Sequence, residues 1–297
     1  MPLALVHDSE FDLSVAHGGP ANSKLKHFYG FDPADKFHMM TPGSTHVFTV
    51  AGGDPSGCSV EFDNPGVVSF LNPPEFSTVV GPGRRGTIPL DGGSVGTTNL
   101  ILKDKSGKQV DKIEVRVVAP KQINVRFYNL VDEKNREGVA KPDSDPLFTV
   151  HALNQLLDFA NKIVGWQCGV NMAATGSGGL RNLKFAQDLG NAIDIDKLNI
   201  FSTTDRDDSA AFHVAFAWRI AGGHTNGITK SNVCLIDNSL SGQKREITLA
   251  HEFVHFLSGS GIVKVNDHDP QENDLLFKIA PHGIMMRKDR LITVRRT

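Results

Sequence analysis

Residues 245–261 read REITLAHEFVHFLSGSG, and three side chains in that run are of types that do chemistry together. His251 and His255 are four residues apart, so on a helix their imidazoles lie one above the other on one face. Two imidazole nitrogens at that spacing suit a single Zn²⁺, which accepts nitrogen ligands in a tetrahedral set. Glu252 follows the first histidine and points beside that face. A carboxylate placed there can take a proton from an attacking water and later pass it to a leaving amine.

The element that must present these groups is a helix over Arg245–Leu257. Ile247, Leu249, Ala250, Phe253, Val254, Phe256 and Leu257 make it apolar almost all round, which predicts burial between other elements. Two histidines and a glutamate on a buried helix need partners, because unpaired buried charge is costly. A metal ion supplies them. Glycines 259 and 261 predict a sharp exit from the helix.

Upstream, INVRFYNLV reads as a strand, and Pro146–Trp166 carries Val150, Leu153, Leu157, Ala160, Ile163 and Val164 at helical spacing, with Asp143 or Asp145 as its cap. A glycine-rich stretch follows. Three further strands are expected in KLNIFSTTD, FHVAFAWRIAG and SNVCLIDNS, and together these segments predict a mixed α/β domain over residues 121–297. Residues 46–120 follow a different grammar. HVFTVAG, SVEFD, VVSFL, STVV, GTIPL, TTNLILKD and KIEVRVVAP are short apolar runs broken by turn residues. Alternation such as Ile113, Val115 and Val117 reads as an all-β sandwich. Residues 1–45, polar and rich in glycine and proline, are expected to form an N-terminal arm or an extra strand.

The pattern over 46–120 resembles a bacterial immunoglobulin-like domain. Residues 122–297 resemble a zincin metallopeptidase, of the metzincin kind, on His251-Glu252-x-x-His255 and on Gly283-Ile284-Met285-Met286, which is similar to that family's methionine turn. The resemblance implies an α+β protein: an N-terminal all-β immunoglobulin-like sandwich followed by a zincin-type mixed α/β catalytic domain. It further implies a Zn²⁺ cofactor, Glu252 as general base and acid, and Met285 or Met286 as the apolar floor beneath the ligands. The chain departs from the family where a glycine and a third histidine should follow, since those positions hold Ser258 and Gly261. His268 is the first candidate for the third ligand, with Asp267, Asp269, Glu272 and His282 as alternatives. With only Tyr29 and Tyr128 in the chain, no tyrosine follows the methionine turn, so His213 and His224 are considered as oxyanion donors. The substrate is expected to be a protein or peptide lying along an exposed edge strand, Phe212–Arg219.

Composition fits this reading. The chain has 297 residues, 39% hydrophobic and 22% charged, the balance of a well-packed protein. A formal charge of −2 gives no electrostatic footing for nucleic acid. No apolar run approaches the ~20 residues of a membrane span. The opening MPLALVHDSE does not read as a signal peptide. The expectation is an intracellular chain, a leader outside this sequence, or a bacterial toxin or effector exported without a cleaved signal. In the last case the β domain would meet a secretion-machinery or surface partner. Cys58, Cys168 and Cys234 read as small buried residues, with a Cys168–Cys234 bridge left open. The competing reading is a non-catalytic binding protein with a degenerate zincin domain.

Overall fold

The computed structural model describes residues 3–7, 31–32, 34–72, 87–132, 149–176, 179–185, 190, 192–196, 210–221, 226–238, 240, 243–259, 286 and 291–292. The fold is mixed α/β, with strands in the majority. It divides into two compact units. One is Met1–Pro120 with Trp166–Gly169 and Ile284–Ile292, and the other is Lys121–Gly165, Val170–Gly283 and Thr293–Thr297.

In the first unit the strands are β1 (Ala4–His7), β2 (Phe31–Asp32), β3 (Phe37–Met40), β4 (Thr45–Ala51), β5 (Ser59–Phe62), β6 (Val68–Phe70), β7 (Thr87–Gly92), β8 (Gly96–Lys103) and β9 (Gln109–Val117). They form two sheets, in the orders β1-β4-β7-β6 and β2-β3-β9-β8-β5. β9 shows why: Ile113, Val115 and Val117 are buried while Lys112, Glu114 and Arg116 between them are not, the period-2 signature of a strand with one face on a core. Leu5, Phe48, Ile88 and Leu90 of the first sheet share one apolar cluster with Phe31, Met40, Leu100 and Val115 of the second. Residues expected as an arm or extra strand therefore supply strands to both sheets, β1 beside β4 and β3 parallel to β9. Lys36 ties these pieces together. Its Nζ reaches Leu5 O at 3.0 Å and Asp111 Oδ2 at 2.9 Å, and Asp111 Oδ2 accepts the Leu5 amide at 2.7 Å.

Elements of the second part of the chain are β10 (Lys121–Asp132), α1 (Val150–Cys168), β11 (Val170–Ala174), β12 (Leu180–Phe185), β13 (Phe212–Ala217), β14 (Gly227–Lys230), β15 (Val233–Asp237) and α2 (Gln243–Leu257). The sheet order is β11-β10-β13-β15-β14, with β12 also on β10. β11 pairs with Lys121–Val125 and β12 with Phe127–Asp132, so the two follow one another along β10. The turn between them runs through Gly176 and Gly179, both in the left-handed region at φ 78° and 70°. All these pairings are parallel except β14 with β15.

Two expectations change here. α1 begins at Val150 rather than Pro146, and its cap is Thr149, whose Oγ1 accepts the Ala152 amide at 3.2 Å. Asp143 and Asp145, like the segment KLNIFSTTD, lie outside the described residues. The strand expected at the edge is internal: β13 pairs with β10 on one side and β15 on the other, and all six of its residues are buried. A run apolar at every position belongs where both faces of a sheet are covered. Among the described residues, β14 ends the sheet on the β15 side. None of the three cysteines forms a disulfide, and Cys168 and Cys234 are buried. Among the described residues no helix is long and apolar enough to cross a membrane.

Candidate metal centre

α2 is buried from Ile247 through His255, as its apolar circumference requires. One side of it packs on β13, where Phe212 stands 5.8 Å from the Phe253 ring and 4.5 Å from that of Phe256. The helix ends at Leu257 and the chain turns at Gly259, whose amide bonds Phe256 O at 3.1 Å and whose φ of 68° is the left-handed stop that glycine accepts without strain.

On this helix the four-residue spacing brings the histidine rings together. Their centroids are 4.6 Å apart at 77°, and the two Nε2 atoms face each other at 3.0 Å. Two nitrogens bound to one tetrahedral zinc, each ~2.0–2.1 Å from it, stand roughly 3.3–3.4 Å apart. The observed spacing, which is that of a hydrogen bond between the two rings, is within about half an ångström of that requirement, and each ring contributes its Nε2. The pair fits a shared cation. His251 is 4% exposed and His255 1%, so such a cation would be largely shielded from bulk water on the helix side.

Glu252 lies beside the pair, with Oε1 4.0 Å from His251 Nε2. Its other oxygen is held from β14: Thr229 Oγ1 donates to Oε2 at 2.7 Å. Gly227, two residues earlier on the same strand, makes room. A methyl group at Gly227 would come within 2.8 Å of Glu252 Oε1 and 2.9 Å of its Cγ. Burial pushes the Glu252 carboxyl up to about 7, against the Thr229 hydrogen bond, which pulls it down. Across the register from Thr229 is Cys234, whose thiol is raised well above its ordinary value by burial and by the nearby Glu252. The result is a carboxylate that exchanges protons near neutrality, next to two convergent imidazoles.

His251, Glu252 and His255 are thus brought together. Among the described residues no group of three or more His, Cys, Asp and Glu side chains has metal-binding geometry. His268, Asp267, Asp269, Glu272, His282, Met285, His224 and Tyr29 lie outside the described residues. Met286 is buried, its amide donates to Gln167 Oε1 at 2.8 Å, and it groups with the first compact unit. His213 does not serve as an oxyanion donor here. It shares a hydrogen bond of 3.0 Å with Tyr128 through Nδ1, and the pair lies on the sheet face that carries Leu130, Ala215 and Leu235, away from α2. Sequence reasoning missed Thr229 and Gly227. A short Gly-Ile-Thr-Lys run carries no local sign that a helix 20 residues on will lean against it.

No protein-family model matches this chain, and no curated protein matches it.

Proposed function

We propose that this chain is a zinc-dependent peptidase in which His251 and His255 hold the metal and Glu252 moves the protons. The third ligand is assigned to the segment after α2, His268 first, with Asp267, Asp269, Glu272 and His282 as the alternatives. What carries the reading is the 3.0 Å approach of two buried Nε2 atoms, with a buried carboxylate 4.0 Å away. Zinc in that position supplies a Lewis acid for the scissile carbonyl and for the attacking water. The chain's own residues do the rest. Glu252 accepts a proton from water as its oxygen attacks the carbonyl carbon, and returns it to the amide nitrogen as the C–N bond breaks.

β14 takes over the role first expected of Phe212–Arg219. It ends the sheet, pairing only with β15 among the described residues, and so offers main-chain groups to an extended peptide beside Glu252. The zincin-like and immunoglobulin-like arrangements belong to this proposal. The first unit is assigned a docking or spacing role toward a surface or secretion partner, in an exported bacterial effector.

Metal analysis and proteolysis of fluorescein-labelled casein test the proposal together. Wild type is expected to retain about one zinc per chain, and His251→Ala to lose it. Glu252→Gln should keep the metal and lose roughly 10²–10⁴-fold in rate. A Glu252→Gln variant as fast as wild type refutes the mechanism. A chain without zinc and without activity supports a degenerate binding domain instead.

A further inference from the structure

The structure places Glu252 under the control of a second element, and this inference rests on the function proposed above. We propose that Thr229 and Gly227 of β14 are positioning residues that keep the Glu252 carboxylate out of metal coordination and leave it free for proton transfer.

A carboxylate next to two zinc-ligating imidazoles has two possible fates. It can join them as a ligand, since zinc also accepts Asp and Glu oxygens, or it can stand back as a base. On α2 the one-residue offset from His251 turns the Glu252 side chain beside the histidine face, but its flexible stem leaves the carboxylate within reach of that face. The decision comes from β14. Thr229 Oγ1 lies 2.7 Å from Oε2 and turns that oxygen toward the strand, and the same hydroxyl lies 3.3 Å from the Glu252 carbonyl oxygen. On the other side, a Cβ at Gly227 would stand 2.7 Å from Thr248 Cγ2, 2.8 Å from Oε1 and 2.9 Å from Cγ, so the glycine leaves the room that the Glu252 side chain occupies. Gly227 does not have a positive φ, so its need for glycine is one of room and not of backbone conformation. Thr229 is 1% exposed and Glu252 3%, which keeps water from competing for the bond. The strand thus holds the carboxylate in its stood-back position, 4.0 Å from the nearer ligand nitrogen.

The variants are Thr229→Val, which is nearly the same shape without the hydroxyl, Thr229→Ser, which restores it, and Gly227→Ala, which displaces the carboxylate. The readout that a merely structural role would not move in this direction is zinc affinity, measured by competition with a chromophoric chelator. Releasing the carboxylate lets it bind the metal as an added ligand, so Thr229→Val is expected to hold Zn²⁺ about tenfold more tightly while casein hydrolysis falls by about 10–100-fold, whereas loss of a merely supporting contact would weaken metal binding. Thr229→Ser should return both to near wild type. The gain in affinity should vanish in Thr229→Val/Glu252→Ala. Zinc affinity that is unchanged or weaker in Thr229→Val overturns the proposal, as does a gain that persists without Glu252. If wild type binds no zinc, the function proposed above fails. The contact is then judged in chelator by a double-mutant cycle in urea. There, a coupling between Thr229→Val and Glu252→Gln of about tenfold in the unfolding constant upholds the positioning, and no coupling overturns it.

Discussion

Replacing His46 by leucine should remove one source of acid sensitivity from the first unit's folding. His46 lies on β4 with its ring 4.6 Å from that of His38, and Phe48 of the same strand packs 5.0 Å from His38. Burial lowers the His46 pKa from 6.5 to about 4. The folded chain therefore holds this imidazole neutral in a range where the unfolded chain has already protonated it. Below pH 6.5 the unfolded state binds more protons, so stability rises with pH and is lost as pH falls toward 4. With these two values the loss between pH 7 and pH 5 is about 2 kcal/mol, and between pH 7 and pH 4 about 3 kcal/mol, on the order of one-fifth to one-half of a typical domain's stability. Whole-chain pH curves will understate this. Glu246 and Glu252 are both raised from 4.5 to about 7, mainly by burial, and for an acid the sign reverses: their contribution falls as pH rises through that window. The assay is accordingly a difference. Urea unfolding of wild type and His46→Leu, followed at pH 7, 6, 5 and 4, should show wild type losing about 3 kcal/mol relative to the variant. A gap that stays constant across the series, or one that moves in wild type's favour on acidification, refutes the burial argument.

Other outcomes follow from single contacts. Gly92→Ala places a Cβ against the carbonyl oxygen of Thr41, and should cost roughly 1–3 kcal/mol in chemical denaturation because backbone must move. Asn161 on α1 donates to Met172 O at 2.9 Å and accepts the Met172 amide at 2.7 Å, pairing both main-chain groups of this β11 residue. Asn161→Ala leaves both main-chain groups without that side chain and should lower stability by about 2 kcal/mol, read from the urea midpoint. Glu252→Asp retracts the carboxylate from Thr229 and should lose about 10-fold or more in casein hydrolysis while zinc stays bound.

What sequence can say about this molecule depends on how local the cause is. α2 was legible because the cause of its burial and of the histidine pairing is periodicity within 15 residues. β9 was legible from its alternation, and the turn at Gly176–Gly179 from its glycines. Thr229 was not, because its role comes from chain topology: β14 turns back on β15 before α2 begins, and only that reversal lays the strand against Glu252. β13 was misplaced at an edge although its unbroken apolar run pointed to the interior, since the expectation followed the family resemblance over the pattern. The early strands escaped for another reason. β1 and β3 are four residues each, too short to establish a period; β1 pairs with β4 and β3 with β9 across more than 40 residues, and the near partner of β3, β2, is only two residues long.

The most direct test of the account is X-ray absorption at the zinc edge on the purified full chain, beside the same spectrum for His251→Ala. Two imidazole nitrogens at about 2.0–2.1 Å in wild type, with one imidazole lost or the metal gone in the variant, is the predicted result. A first shell without imidazole, or identical spectra from the two proteins, would contradict it.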